Sequence, residues 1–266
     1  MRASYKLEFK RFFSKENSKA IKANGYNWHN PISYMTPHLG NGLGANLCSN
    51  ASPQCILFCL GPNSGHAAII KSGESSNAVL DYRMRKTHYF LKRNGAFMRE
   101  LLVHIAKEIR TAKRLGFRIC VRLNGATDIA FENVAVVVDE ALAAELTAIS
   151  GMKVTAGKHT AFSCFPKVQY VDYTKKASRF DKVLPNNYDL TFSRSELNDA
   201  ECLALLARGH NVAVIFKNKF PKSWNGYRVI NGDKHDLRHL DPCGVVVGLT
   251  PKGKMRNSDS PFMVAA

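Results

Sequence analysis

Three of the seven cysteines lie within one stretch of twelve residues: Cys48, Cys55 and Cys59. Thiolates are the soft ligands that zinc and iron–sulfur clusters select. The other four cysteines are scattered singly, mostly in or beside apolar runs, as is typical of thiols that pack in a core. The spacing therefore predicts a metal or iron–sulfur site at Cys48, Cys55 and Cys59.

Two other interpretations of this cysteine stretch stay open. Cys55 and Cys59 are spaced i, i+4 in an apolar run, so they could occupy two buried positions of a helix. They could also form a redox pair.

A second set of candidates for chemistry is titratable. The segment 231–242 is the densest cluster of titratable side chains in the chain and includes Asp233, His235 and Asp236. Carboxylates and imidazoles can bind a divalent metal ion or act as acid and base. We interpret these three residues and Asp128 as candidate catalytic residues. The alternatives are a turn, because Asn-Gly-Asp is ordinary turn chemistry, and a helix cap at Asp128.

Two arginines occupy positions where a charge needs a partner. Arg122 lies in an otherwise apolar strand, where an unpaired guanidinium would cost desolvation energy. Arg194 lies between two serines, and its planar fork suits a phosphate or a carboxylate. Both are therefore candidates for binding an anionic ligand.

These residues must be positioned by a fold that alternates short β-rich runs with helices. Strands are predicted at 118–123, 168–173, 188–193, 211–216 and 244–249. Helices are predicted at 138–149 and 195–208, with two more between 76 and 115 that break near Asn94. We therefore predict the α/β class, with a partial or full parallel β/α barrel in one domain at 48–266. Residues 1–47, rich in Asn, Gly and Pro, are predicted to be an irregular N-terminal segment.

Polar and charged residues follow each predicted strand. Because the active sites of such folds lie at the carboxyl ends of the strands, these side chains are predicted to face one pocket. The candidates for binding a cofactor or substrate there are Arg122, Asn124, Tyr173, Lys175, Ser193, Arg194 and Lys217.

The net charge of the chain is +17, and the basic residues are spread along its length. Such a charge attracts polyanions, so we expect nucleic acid or a nucleotide as partner, although basic faces are often only solvated. No apolar run suits a membrane span or a signal peptide, so we expect no membrane partner and a cytoplasmic location. The motifs of P-loop ATPases, esterases and zinc proteases are missing, which excludes those common classes.

Five stretches of the sequence together resemble the bacteriophage "gene product 88" group: 48–60, 83–87, 121–129, 190–196 and 232–238. The resemblance implies a phage origin and an infected host cell as location. More distantly, three cysteines ahead of an α/β barrel look like radical S-adenosylmethionine enzymes, whose three thiolates leave one iron of a [4Fe–4S] cluster open for the cofactor. Those enzymes usually space the cysteines Cys-x3-Cys-x2-Cys, whereas the spacing here is Cys-x6-Cys-x3-Cys.

Three functions are therefore expected. The first is a radical-SAM-like enzyme that holds a [4Fe–4S] cluster, binds S-adenosylmethionine and acts on nucleic acid or nucleotides. The second is a basic nucleic-acid-binding protein without catalysis, in which the cysteines bind zinc or pack in the core. The third and weaker one is a divalent-metal-dependent hydrolase or nuclease that uses the four candidate catalytic residues.

Overall fold

The structure is a computed structural model that describes residues 7–15 and 18–265. Its α-helices are α1 (Ser18–Asn24), α2 (Pro53–Leu57), α3 (Leu60–Asn63), α4 (Ala78–Lys92), α5 (Asn94–Leu115), α6 (Glu140–Ser150), α7 (Ala161–Cys164) and α8 (Asp199–Ala207). Its strands are β1 (Trp28–His29), β2 (Arg118–Val121), β3 (Val136–Val138), β4 (Gly157–His159), β5 (Gln169–Thr174), β6 (Tyr188–Ser193), β7 (Val212–Ile215), β8 (Ser223–Trp224), β9 (Tyr227–Asn231) and β10 (Val246–Leu249). Single turns of 3-10 helix lie at Gly65–Ala68, Phe131–Asn133, Ala177–Arg179, Arg238–Leu240 and Gly253–Asn257.

Eight of the described strands form one sheet in the order β1-β2-β5-β6-β7-β10-β9-β8. Every neighbouring pair is parallel except β8 and β9, which form an antiparallel hairpin at the edge. A separate antiparallel pair joins β3 and β4. The α/β class and the mostly parallel sheet are thus confirmed. Within the described residues the sheet does not close on itself.

All five predicted strands form, as β2, β5, β6, β7 and β10. The sequence signal was clear there because each strand contains β-branched or aromatic residues and is mostly buried, and β6 has the predicted bounds. The two helices predicted between 76 and 115 are α4 and α5, and they meet at Arg93. Five strands were not predicted. Strands β1, β3, β4 and β8 have only two or three residues and so carry little periodicity, and the five-residue β9 is only partly buried.

Helix α5 is the central helix of the core. Its apolar residues recur at helical spacing, and Phe97, Leu101, Ile105 and Ile109 are all buried. The helix ends at Gly116, whose φ of +69° is the left-handed conformation that glycine adopts without steric cost. Helix α5 packs on α4, on α6 and on β2, and so joins the sheet to the N-terminal half.

The described part of the N-terminal segment packs on the same core. Phe9, Phe12 and Phe13 are buried in the hydrophobic cluster that contains the apolar face of α5. Strand β1 pairs with β2, and Ser14 forms an antiparallel bridge with Ile32. Among the described residues, no helix combines the length and the apolar character that crossing a membrane would require.

Candidate functional site

A cavity of about 1640 Å³ opens at the carboxyl ends of the parallel strands. Its walls include residues at the ends of β2, β5, β6, β7 and β10. Of the residues predicted to converge at the strand ends, those that line it are Arg122, Asn124, Asp128, Tyr173, Lys175, Ser193 and Arg194. The volume exceeds the roughly 300–1,000 Å³ of ordinary small-molecule pockets, so the cavity can hold a cofactor and a substrate together.

The charge of the cavity wall is strongly positive. Lysine and arginine side chains from the N-terminal segment, α4, α5 and the strand ends line it, whereas its described acidic residues are Glu108 and Asp128. Both carboxylates are already paired: Glu108 contacts His29 and Lys15, and Asp128 contacts Arg179. The remaining positive charge favours an anionic ligand.

The three clustered cysteines line this same cavity. All three are half-buried, and burial raises the pKa of each thiol, that of Cys48 to about 12. The Cys48 thiol also receives a hydrogen bond from the backbone N–H of His38. Within the described residues, no three His, Cys, Asp or Glu side chains are grouped closely enough to hold a metal ion. The thiols therefore share a wall without converging on one point.

The carboxylate of Glu196 fixes the helix that carries Cys55. Its two oxygens accept hydrogen bonds from the Ser52 hydroxyl at 2.7 Å and from the Gln54 backbone N–H at 3.0 Å. Ser52 is in turn the N-cap of α2 and accepts from the backbone N–H of Cys55. The loop after β6 thus positions the cysteine segment, a role for Glu196 that sequence reasoning missed.

Asp236 is the hub of a buried ion network beside the cavity. Its side chain is fully buried and accepts hydrogen bonds from Lys19 at 2.6 Å, Arg122 at 2.6 Å and the Tyr173 hydroxyl at 2.8 Å. Burial alone would raise the pKa of Asp236, but the charges of Lys19 and Arg122 hold it well below its usual value. The Arg122 guanidinium also lies over the ring of Tyr173, 4.7 Å from its centroid.

Asn124 and Asp172 form a second buried contact at the end of β2. Asp172 accepts from the backbone N–H of Asn124 at 2.8 Å and from its side-chain amide at 3.0 Å. The side-chain amide oxygen of Asn124 accepts from the Ile129 N–H and from the Thr127 hydroxyl. Burial raises the pKa of Asp172 to about 6. Asn124 therefore holds the shape of the loop that forms this wall of the cavity.

Asp128 is part of an ion pair rather than a free acid. One oxygen contacts Arg179 at 3.0 Å, and the other accepts from the Thr174 hydroxyl and the Lys175 backbone N–H. Arg179 also contacts both oxygens of Glu132. The geometry gives Asp128 a structural role in joining the ends of β2 and β5.

The other predicted catalytic residues are not brought to Asp128. The carboxylate of Asp233 accepts from the N–H and the hydroxyl of Thr250, and the His235 ring packs edge-on against Tyr26. Neither of them, nor Asp236, is among the residues that line the cavity. This arrangement offers no shared metal position to the hydrolase interpretation.

Lys175 and Ser193 form a polar pair on the cavity wall, with the ammonium 2.7 Å from the hydroxyl. Arg194 is held in the structure by Asp199 and by the backbone carbonyls of Pro261 and Phe262, each at 2.9 Å. Lys217 lies outside the cavity lining and contacts Asp259 at the surface. Of these four predicted ligand-binding residues, Lys175 and Ser193 offer the cavity polar groups that the fold does not fully use.

The comparison with known families decides the classification. A sequence model of the family described as Gene product 88 matches residues 11–265, nearly the whole chain. The chain belongs to the Gene product 88 family. No curated protein and no solved structure matches it.

Two lysines of this Gene product 88 member were missed by sequence reasoning although they line the cavity. Lys19 pairs with Asp236, and burial lowers its pKa to about 8 although Asp236 opposes the shift. Lys86 lies in a basic stretch of α4, yet it is 2% exposed and donates to the Phe12 carbonyl and the Ser33 hydroxyl. The sequence could have identified Lys86 by its position, because it is a lysine on the apolar side of an otherwise amphipathic helix.

Proposed function

We propose that this phage protein is an enzyme that binds an iron–sulfur cluster at Cys48, Cys55 and Cys59 and acts on nucleic acid or nucleotides. One observation carries the proposal: the three thiols line the same cavity as the polar residues at the strand ends. The enzyme is radical-SAM-like. A cluster with three thiolate ligands would supply one open iron for binding S-adenosylmethionine.

The surroundings of the three thiols support a cluster. Burial raises the pKa of Cys55 and Cys59, and the charge of Lys175, with that of Arg83 at Cys59, opposes this rise. Cys55 packs against the apolar cluster of Met255 and Phe262, which limits access of water. The thiols must move together on binding, because iron and zinc bond to sulfur over only about 2.3 Å.

The strand order supports a partial β/α barrel as the scaffold. From β1 to β10 the parallel strands β1, β2, β5, β6, β7 and β10 follow one another in chain order. This one-directional order is that of a barrel, whereas doubly wound sheets reverse at a switch point. The cysteine segment follows the first of these strands, so it lies at the end where the polar loops meet.

The charge of the cavity supports an anionic substrate. Lys175 is bonded to Ser193, and neither has a carboxylate partner among the described residues. The hydroxyl and the ammonium can therefore turn to a phosphate group without loss of an ion pair. We take S-adenosylmethionine and a nucleotide or nucleic-acid strand as the two occupants of the cavity.

Anaerobic reconstitution with iron and sulfide tests the proposal. We expect the protein to take up iron and sulfide and to show the visible absorption of a cluster. The variants Cys48→Ser, Cys55→Ser and Cys59→Ser should each lose most of the bound iron. Calorimetry should show binding of S-adenosylmethionine to the loaded protein and none to the apoprotein.

The exposed Cys243 is the matched control, since it lies outside the cavity lining. Cys243→Ser should keep the iron content of the parent. Tight binding of zinc in place of a cluster would instead support the non-catalytic nucleic-acid-binding protein. If neither iron nor zinc binds through the three cysteines, the cluster and the zinc site at these residues are both ruled out.

A further inference from the structure

An extended N-terminal strap, defined as residues 7–15, lies along α4 and α5 and is fixed on both sides of Lys10 and Arg11. Before them, the buried carboxylate of Glu100 accepts from the backbone N–H of Glu8 at 3.0 Å and of Phe9 at 2.7 Å. His104 contacts the Phe9 carbonyl at 3.0 Å. These contacts fix the backbone that leads into Lys10.

The strap is held as firmly after Arg11. The Lys86 ammonium donates to the Phe12 carbonyl at 2.9 Å, and Ser14 exchanges two backbone hydrogen bonds with Ile32. Lys15 contacts Glu108 at 3.2 Å. Because Phe9 and Phe12 are buried, the exposed side chains of Lys10 and Arg11 lie between two anchored points at the cavity.

Helix α5, which the strap contacts through Glu100 and His104, adds two cations to the cavity lining. Lys107 and Arg110 line it together with Lys10 and Arg11, and we call these four side chains the basic rim. Within residues 7–15 and 18–265, none of the four forms an ion pair, whereas neighbouring Lys15 is paired with Glu108. Four unpaired cations on an anchored backbone create a local positive potential that attracts a polyanion.

We propose that the basic rim binds the phosphate backbone of a single-stranded nucleic acid whose base enters the cavity. This inference rests on the proposed function and narrows its substrate class from nucleotides in general to a strand. A free nucleotide carries its phosphates into the cavity and leaves the rim unused. A strand places successive phosphates along the rim, and only an unpaired base can reach a site at the strand ends.

Fluorescence anisotropy with a labelled single-stranded oligonucleotide of about 12 nucleotides tests the inference. The matching duplex and the mononucleotide are the competitors. We expect the single strand to bind more tightly than either. The slope of log K against log salt concentration is negative, and its magnitude should be smaller by about 1.4 in Lys10→Ala/Arg11→Ala. The same decrease is expected in Lys107→Ala/Arg110→Ala, because each lost phosphate contact removes about 0.7 from the magnitude of the slope.

Lys153→Ala/Lys158→Ala is the matched control, since it removes two exposed cations that do not line the cavity. This control variant should have the same slope of log K against log salt concentration as the parent protein. Equal slopes in the rim variants and the control would overturn the inference, as would a duplex or a mononucleotide that binds as tightly as the strand. Iron content is measured in the same samples. If the protein holds iron but does not bind the single strand, only the proposal for the basic rim is wrong. If the protein binds the single strand but holds no iron, only the proposed cluster is wrong.

Discussion

The guanidinium of Arg122 donates a hydrogen bond of 2.6 Å to the carboxylate of Asp236, and the two residues are 114 positions apart in the chain. Arg122 extends β2 towards the cavity, while Asp236 lies in the loop between β9 and β10. The pair therefore joins two parts of the sheet that are not neighbours. It also explains how an arginine can occupy an apolar strand end without destabilising it.

Arg122→Ala is expected to lower the free energy of unfolding by about 3 kcal/mol, because it removes one of the two cations that contact the buried carboxylate of Asp236. Urea unfolding measures the loss. The double variant Arg122→Ala/Asp236→Ala should lose less than the sum of the two single variants, since the removed groups interact directly. Additive losses would show that the two residues act independently.

Arg194→Ala is expected to destabilise the protein and to loosen the C-terminal segment. The substitution leaves the carbonyls of Pro261 and Phe262 without a donor, at a cost of about 3 kcal/mol. Hydrogen exchange should rise first around 258–264. Arg208→Ala is the matched control: it removes a surface pair with Asp181 and one hydrogen bond to the Phe180 carbonyl, so the loss should be only about 1 kcal/mol. An unchanged unfolding curve for Arg194→Ala would contradict this role.

The buried ammonium of Lys86 predicts a pH dependence of stability. Burial and the nearby charge of Arg83 lower its pKa to about 7 in the folded protein, against the ordinary lysine value of 10.5. Between these two values the unfolded chain binds more protons, so stability rises with pH by at most about 1.4 kcal/mol per unit. Lys86→Met should flatten this rise in urea unfolding between pH 7 and pH 10.

Lys92→Met on the same helix provides the comparison for Lys86, because Lys92 is exposed. Its pH dependence should match that of the parent. If Lys86→Met keeps the full rise, the proton uptake belongs to another group.

The sequence was most informative where local pattern and burial coincide. The alternating Tyr188, Leu190 and Phe192 of β6 and the helical period of α5 are local properties, so the positions of both elements could be predicted. The need of Arg122 for a partner could also be predicted, since it follows from desolvation. Its partner could not, because Asp236 reaches Arg122 only through the folded sheet, and the same holds for Lys19, 217 positions from Asp236.

Lys175→Ala is expected to weaken binding of an anionic nucleotide without much effect on stability. The Lys175 ammonium is half-buried on the cavity wall and contacts only Ser193 and a backbone carbonyl among the described hydrogen-bond partners. A charged hydrogen bond to phosphate contributes about 1.5 kcal/mol or more, so the dissociation constant for ATP should rise about tenfold. Lys176→Ala, at the exposed neighbouring position outside the cavity, should leave it unchanged. Equal affinities for the two variants would place the nucleotide elsewhere than at the end of β5.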